Sequence, residues 1–129
     1  MTETDKKAKP RHLVTGERGE EAAARYMLEH GYQIIARNVR ESHCEIDIVA
    51  RDEDEIVFTE VRTRNAGIIA APEDTIGPRK LRLLIKAAAM WADEHNYTGP
   101  YRIDAAGVTA EDGEPVKIEY IKSITEPII

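Results

Sequence analysis

The sequence predicts a single α/β domain in which a helix, three strands, a second helix and two further strands follow one another. Two segments repeat apolar residues with the 3.6-residue spacing of an amphipathic helix, and five shorter runs are rich in β-forming residues. The 129 residues, 42% hydrophobic and 33% charged, have a globular composition and enough length for one core. We expect residues 1–12, which are polar and without period, to form a flexible arm and residues 13–129 to form the domain.

The first helix is predicted from Thr15, an N-cap residue type, to Gly31, a typical C-terminal glycine. Its buried face should carry four apolar residues: Ala23, Ala24, Met27 and Leu28. These residues lie three, four, seven and eight positions after Glu20, so Glu20 lies in line with the buried face rather than with the solvent face. That is an unusual place for a carboxylate.

Three strands are predicted next, within residues 32–40, 44–51 and 56–64. The second and third are joined by a short acidic turn, so we expect them to form an antiparallel hairpin. Residues 65–75 contain Gly and Pro without a period and are predicted to form a loop.

Gly77 and Pro78 open the second helix, which is predicted to end near Asn96. Its buried face should carry Leu81, Leu84, Ile85, Ala88 and Ala92. Two last strands, within residues 101–109 and 116–124, are separated by a turn with Asp, Gly and Pro.

The hairpin brings two acidic side chains face to face if residues 51 and 56 flank its turn. Asp47 then lies opposite Glu60, and Glu45 lies opposite Arg62, on one face of the hairpin, while the other face is mostly apolar and belongs to the core. Opposed Cβ atoms are about 5 Å apart, and two carboxylates at that distance repel by roughly 3 kcal/mol at an effective dielectric constant of ~20. Such a pair is normally avoided unless something neutralises it.

A divalent cation would remove this repulsion. Mg²⁺ prefers hard oxygen ligands and keeps several waters, so Asp47, Glu60 and the backbone carbonyl of Val61 form a candidate site. Glu20 is a candidate third carboxylate. The alternative is a solvated hairpin face without metal, held by a Glu45–Arg62 pair.

A metal beside a cationic side chain is the arrangement that phosphodiester hydrolysis requires. The metal polarises the phosphate and lowers the pKa of a bound water, and Arg62 would steady the charge that develops on the phosphoryl oxygens.

Charge along the chain is uneven. The net charge of −6 argues against a nucleic-acid partner held by bulk positive charge, yet residues 62–86 hold six basic and two acidic residues, a net +4. Arg79, Lys80 and Arg82 crowd the first turns of the second helix, where the macrodipole disfavours positive charge. This favours a phosphate contact at the helix N-terminus, with ordinary solvated surface positions as the alternative.

Several short motifs occur together between residues 16 and 121: Gly16-x-x-Gly19-Glu20, Gly31-Tyr32, Arg37-Asn38, Glu45-Ile46-Asp47, Val57-Phe58-x-Glu60-Val61, Lys80 and Arg102-Ile103-Asp104. In this combination the chain resembles the YraN-like family of small bacterial proteins, predicted nucleases related to archaeal Holliday junction resolvases and to restriction endonucleases. The resemblance implies a restriction endonuclease-like αβββαβ core, with a mixed central sheet flanked by helices.

The resemblance also implies roles for single residues. Asp47 and Glu60 fill the acidic positions of a PD-(D/E)xK motif and bind Mg²⁺ or Mn²⁺, and Glu20 is the helix-borne acid of resolvase-like members. The chain departs from the family at Arg62, where the motif has lysine, and at Cys44, where glycine is usual. Because arginine stays charged near neutral pH, Arg62 can neutralise phosphate but cannot act as a base.

The first hypothesis is therefore a metal-dependent DNA endonuclease, with branched DNA as a candidate substrate. Its catalytic residues would be Glu20, Asp47, Glu60 and Arg62. Its nucleic-acid contacts would be Arg64, Arg79, Lys80, Arg82 and Lys86, of which Lys80 and Lys86 could also replace the motif lysine. The alternatives are a module that keeps the nuclease fold to bind nucleic acid without cutting it, and an interaction protein with an empty hairpin site.

Smaller signals complete the expectations. The single cysteine, Cys44, excludes an internal disulfide and is expected to be a small buried residue rather than a zinc ligand. Arg102 and Asp104 share a strand face and are expected to form an ion pair. Without a long apolar run we expect a cytoplasmic protein with no membrane partner, and related resolvases suggest a homodimer by analogy.

Overall fold

The computed structural model describes residues 11–66 and 71–125, and the predicted order of elements is present in them. The elements are α1 (Arg11–Glu29), β1 (Gln33–Glu41), β2 (Cys44–Asp52), β3 (Glu55–Asn65), a 3₁₀ turn (Pro72–Thr75), α2 (Pro78–Glu94), β4 (Tyr101–Glu111) and β5 (Glu114–Ile121). α1 begins four residues before the predicted start, and residues 1–10 of the predicted arm lie outside the described residues. No helix in the described ranges has the length and apolarity needed to cross a membrane.

The five strands form one mixed sheet in the order β1-β2-β3-β4-β5. β3 and β4 pair in parallel, and the other neighbours are antiparallel. A parallel pair needs a long crossover connection, which here contains α2. α1 and α2 pack on opposite faces of the sheet, as two separate core clusters show. The restriction endonuclease-like αβββαβ core expected from the resemblance is confirmed.

Both faces of the hairpin are core, whereas the sequence predicted only one. Val49 and Phe58 lie on the face that was predicted to be polar, and both are buried against α2. Ile48 and Val57 pack on the other face with α1. The polar part of the hairpin is therefore confined to its far end.

α1 buries three of its four predicted apolar residues. Ala23, Ala24 and Met27 are buried, but Leu28 is 57% exposed because it lies beyond the edge of the buried stripe. Gly31 ends the helix with φ of +90°, and the N–H of Tyr32 donates to the carbonyl of Met27 at 2.9 Å. This is the Schellman arrangement, and it fixes where β1 starts.

The buried face of α2 differs from the predicted face. Its buried residues are Leu84, Ala87, Ala88, Trp91 and Ala92, whereas Ile85 is 40% exposed and Leu81 is only partly buried. The reason is Trp91, whose ring packs edge-on against Phe58 with 5.5 Å between ring centroids. This contact turns the side of the helix that carries Ala87 and Trp91 towards the sheet.

Candidate active site

The β2–β3 ladder ends at the candidate site. The two strands pair in the predicted register from the turn as far as Ile48 opposite Thr59. One position further, the N–H of Val61 donates to Oδ2 of Asp47 at 2.7 Å. The predicted main-chain pairing of Asp47 with Glu60 is therefore wrong, because a side-chain carboxylate takes the backbone donor. The main-chain pairing of β2 with β3 ends there, and this end of the ladder, with Asp47, Glu60 and Val61, is called the fork below.

At the fork, side chains from both helical layers approach the same two carboxyl groups. The carboxyl groups of Asp47 and Glu60 lie next to each other, and each affects the pKa of the other. From α2, Nζ of Lys80 lies 3.7 Å from Oε2 of Glu60. From α1, on the opposite face of the sheet, the charge of Glu20 interacts with that of Asp47. The prediction that Asp47 and Glu60 meet is thus supported at the level of side chains.

Electrostatics favour a proton on this acidic pair. The side chain of Glu60 is 6% exposed, and burial, reinforced by the charge of Asp47, raises the pKa of Glu60 to about 7. Burial also raises the pKa of Asp47, against the lowering effect of the Val61 N–H. Oε1 of Glu60 is buried and receives no hydrogen bond from any donor in the described residues. A proton or a bound cation can satisfy that oxygen.

These donors fit a hard divalent cation. Mg²⁺ and Mn²⁺ bind carboxylate oxygens, and Mg²⁺ commonly uses one or two protein carboxylates and keeps waters. In the described part of the chain, no three Asp, Glu, His or Cys side chains are grouped so as to hold a metal together. Asp47 and Glu60 therefore form a pair of candidate ligands. Glu20 stands apart from them, its pKa raised by burial and then by Asp47, and the backbone carbonyl of Val61 stays a predicted ligand.

Arg62 and Lys80 provide the positive charge of the site. Nη2 of Arg62 lies 3.3 Å from Oε2 of Glu60. The predicted position of Arg62 opposite Glu45 in the ladder is wrong, since the β2–β3 ladder ends before it. Glu60 thus has a carboxyl neighbour and two cationic neighbours.

Lys80 was predicted to contact nucleic acid, and sequence reasoning could not tell whether it reached the carboxylates. The structure brings it to Glu60. Lys80 precedes Leu84 by four residues and Ala87 by seven, so it lies in line with the buried face of α2. The rule that singled out Glu20 would have found it, had the buried face been placed correctly.

Other predicted basic residues lie outside the carboxylate cluster. Arg79, Arg82 and Lys86 are exposed on α2. Arg64 continues along β3 beyond Arg62, with a side chain that is 15% exposed and an ion pair to Glu119 at 4.0 Å.

Gly19 allows α1 to approach β3 closely. A Cβ atom at this position would overlap Oγ1 of Thr63 and lie 3.2 Å from its Cβ atom. Because Glu20 is the next residue, this close approach sets how far the carboxylate of Glu20 extends towards the fork. Sequence reasoning noted the glycine only as part of a motif.

Two smaller predictions are confirmed. Cys44 is a free, buried thiol. Nε of Arg102 donates to both carboxylate oxygens of Asp104, at 3.0 and 3.2 Å. The rest of that guanidinium is bound by Glu55, Asp52 and Tyr32, which makes this cluster a satisfied structural network beside the hairpin turn.

Comparisons with known proteins give a consistent assignment. The family model described as "Uncharacterised protein family UPF0102" matches residues 19–108, a span that contains the fork and Lys80. A UPF0102 protein of Bacteroides thetaiotaomicron is 38% identical over 116 residues, covering 90% of this chain and 95% of that protein. One of Anaeromyxobacter dehalogenans is 43% identical over 101 residues, covering 78% of this chain and 75% of that protein.

Two further similarities are partial. A UPF0102 protein of Oleidesulfovibrio alaskensis is 41% identical over 107 residues, but the match covers 82% of this chain and only 53% of that protein, so the chain spans about half of its length. Among solved structures, that of Pyrococcus furiosus SfsA in complex with Ca²⁺ is similar, with 15% identity, covering 87% of this chain and 64% of that chain. Its TM-score of 0.34 is too low to carry an argument.

Proposed function

The chain belongs to the uncharacterised protein family UPF0102, and we propose that it is a divalent-metal-dependent endonuclease that hydrolyses DNA phosphodiester bonds. One observation carries the proposal: two buried carboxyl groups meet at the fork, one of their oxygens lacks a donor in the described residues, and two cations flank them. A buried carboxyl pair of this kind costs stability. Such pairs are therefore found mainly at sites where they serve binding or catalysis.

Asp47 and Glu60 would hold Mg²⁺ or Mn²⁺. When bound, the cation supplies Lewis-acid polarisation of the phosphate and lowers the pKa of a water molecule. Glu20, which approaches Asp47 from α1, would orient the attacking water by accepting a hydrogen bond from it.

Arg62 and Lys80 would together supply the two functions of the motif lysine, charge stabilisation and proton transfer. Nη2 of Arg62 is a permanent cation beside Glu60 and would stabilise charge on the phosphoryl oxygens. Nζ of Lys80, 3.7 Å from Oε2 of Glu60, would donate a proton to the DNA oxygen that leaves phosphorus. The oxygen of the attacking water would form the new bond to phosphorus, and the proton of that water would pass to solvent. Arg79, Arg82 and Lys86 would contact phosphates further along the DNA.

A cleavage assay with a matched control tests the proposal. Linear, flapped and four-way-junction DNA are incubated with the protein in Mg²⁺, in Mn²⁺ and in EDTA. We expect metal-dependent cleavage of at least one substrate, abolished by Asp47→Asn and Glu60→Gln and unchanged by Glu29→Gln, which removes an exposed carboxylate of α1. Cleavage that persists in both site variants, or that is absent from every substrate with either metal, contradicts the proposal.

A second candidate function is a nucleic-acid-binding module that does not cut. Arg62 favours it, because a guanidinium stands where the motif has a lysine. The same assay separates the two functions: DNA binding that is retained by the wild-type protein without cleavage, in either metal, supports the binding module.

A further inference from the structure

Arg64 has an unsatisfied positive side chain close to the fork. It lies two residues beyond Arg62 and four beyond Glu60, so all three share one face of β3. Its side chain is 15% exposed, and its Nη1 atom is buried with no hydrogen-bond partner in the described residues. Nε of Arg62 is buried and lacks a partner in the same way.

Nearby acids leave one nitrogen of each guanidinium group without a hydrogen-bond partner in the described residues. Arg64 reaches Glu119 only at 4.0 Å, beyond hydrogen-bond distance, and the side chain of Glu119 is 46% exposed. Arg62 contacts Glu60 through Nη2 at 3.3 Å, and this contact leaves its buried Nε without a partner in the described residues. Buried charged donors without partners are costly, and a phosphate, which offers several charged acceptors to a guanidinium fork, would satisfy them.

We propose that Arg64 binds the DNA phosphate adjacent to the one that is cleaved, so that the substrate strand follows β3 from Glu60 towards Asn65. The inference rests on the proposed function, which places the cleaved phosphate beside Glu60 and Arg62. Residues two apart in a strand are about 6.7 Å apart, a spacing comparable to that of successive phosphates along a nucleic-acid strand. Arg62 and Arg64 are thereby matched to two neighbouring phosphates.

Glu119 competes with the DNA for Arg64. In the sheet, Arg62 pairs with Gly107, which pairs with Glu119 on β5, so a residue without a side chain separates the carboxylate from the arginines. A phosphate bound to Arg64 would replace the long ion pair with Glu119. Removing the carboxylate should therefore strengthen DNA binding, whereas removing the guanidinium should weaken it.

A binding experiment tests these opposite effects in the Asp47→Asn background, where cleavage is blocked. Fluorescence anisotropy with a labelled short duplex is measured in EDTA over a series of KCl concentrations. Arg64→Ala should weaken binding and lower the slope of log Kobs against log [salt] by about 1, as expected for one lost phosphate contact. Arg25→Ala, which removes an exposed charge from α1, should leave the slope unchanged.

Two further arms keep the test decisive. Glu119→Gln leaves Arg64 in place and should tighten DNA binding, so it decides the question even if Arg64→Ala unfolds. Inorganic phosphate alone, at the concentration of DNA phosphate, should raise the melting temperature of the protein less than the duplex does. An unchanged slope in Arg64→Ala, weaker binding in Glu119→Gln, or equal stabilisation by free phosphate would overturn the inference.

This outcome is separable from that of the proposed function. If the wild-type protein cuts DNA while Arg64→Ala behaves as Arg25→Ala does, the inference fails and the endonuclease stands. If nothing is cut but Arg64→Ala lowers the salt slope, the phosphate contact stands and the hydrolytic function fails.

Discussion

Glu60 is the residue that contacts most of the charged groups of the candidate site. It meets a second carboxyl, Asp47, and two cations, Arg62 and Lys80, in a setting from which water is largely excluded. The carboxyl neighbour favours a proton on Glu60, and the cations favour its charged form. Because burial acts with the carboxyl neighbour, the protonated form persists to about pH 7 in the absence of metal.

This balance predicts a pH dependence of stability. The folded pKa of Glu60, about 7, lies above its ordinary value of 4.5, so its stabilising contribution is complete below pH 4.5 and is lost as the pH rises through about 7. The loss amounts to about 3 kcal/mol of unfolding free energy. Denaturant unfolding in EDTA between pH 4.5 and 8 should show this decline, and Glu60→Gln should flatten it.

The matched control for that series is Glu29→Gln, which changes an exposed carboxyl on α1 and should keep the wild-type decline. A Glu60→Gln protein whose stability falls with pH as steeply as the wild type would show that another group governs the dependence.

Lys80 and Arg62 should respond differently to conservative exchange. Arg62→Lys keeps the charge beside Glu60 and should retain most of the cleavage. Lys80→Arg also keeps a charge but removes a side chain that can release a proton, so we expect the cleavage rate to fall by about 10²-fold or more. If the protein cleaves DNA as proposed, single-turnover rates at saturating DNA measure this, and a Lys80→Arg variant as fast as the wild type would assign Lys80 a purely electrostatic role.

At this scale the sequence predicted which residues come together at the candidate site better than it predicted their geometry. Glu20 could be recognised because it stands in line with apolar residues, and Asp47 and Glu60 because the hairpin register opposes them. The bond from Val61 to Asp47 could not be predicted, since periodicity assumes that backbone donors pair with backbone acceptors. Where a side chain replaces the backbone acceptor, the alternation of residues along a strand no longer predicts which residues are paired.

α1 and β3 are in close contact at Gly19, the residue before Glu20. Glycine is unfavourable inside a helix by about 1 kcal/mol relative to alanine, so its presence needs a reason. The absence of a Cβ atom supplies it, because Thr63 fills the space.

Substitution at this contact should destabilise the protein and move Glu20. Gly19→Ala should lower the unfolding free energy by about 1–3 kcal/mol, as expected for an overpacked contact, despite the better helix propensity of alanine. The double variant Gly19→Ala/Thr63→Ala removes the overlapping Oγ1 and should recover much of both stability and cleavage. Additive losses in a double-mutant cycle would contradict the packing explanation.

The types and order of the elements followed from the sequence, but the start of α1 and the orientation of α2 did not. Its predicted face included Ile85 and omitted Trp91, because an alanine-rich helix offers several nearly equivalent apolar stripes. The contact between Trp91 and Phe58 chooses among them. Phe58 lies far from Trp91 along the chain, so the spacing of residues within α2 contains no information about this contact. Because the buried face of α2 was predicted incorrectly, the position of Lys80 in line with that face was also missed.

At the scale of the whole molecule, charge is distributed unevenly along the chain. The chain carries a net −6, yet its basic residues concentrate between 62 and 86, where the fork and α2 lie. The sequence predicted this asymmetry directly, because it depends on composition alone. The family resemblance implied a mixed sheet, but the parallel pairing of β3 with β4 is known only from the structure, since a local pattern does not specify which strands become neighbours.

A cation that binds only the folded site should stabilise the entire fold. Mg²⁺ or Mn²⁺ at 100 times its dissociation constant would add about 2.7 kcal/mol to the unfolding free energy by mass action. The increase in melting temperature should be larger at pH 8 than at pH 6, because the cation competes with the proton on Glu60. Calorimetry and thermal unfolding of the wild type, with Asp47→Asn as the control, measure the effect, and an equal increase in both proteins would exclude binding at the fork.

The bond from the Val61 amide to Asp47 gives the protein a built-in spectroscopic probe. An amide proton held by a carboxylate shifts its resonance when that carboxylate gains a proton or a cation. Val61 should therefore show, in a ¹⁵N-labelled sample, a titration that its strand neighbours bonded to backbone carbonyls do not. A single crosspeak would then follow the arrival of each species at the fork without any substitution.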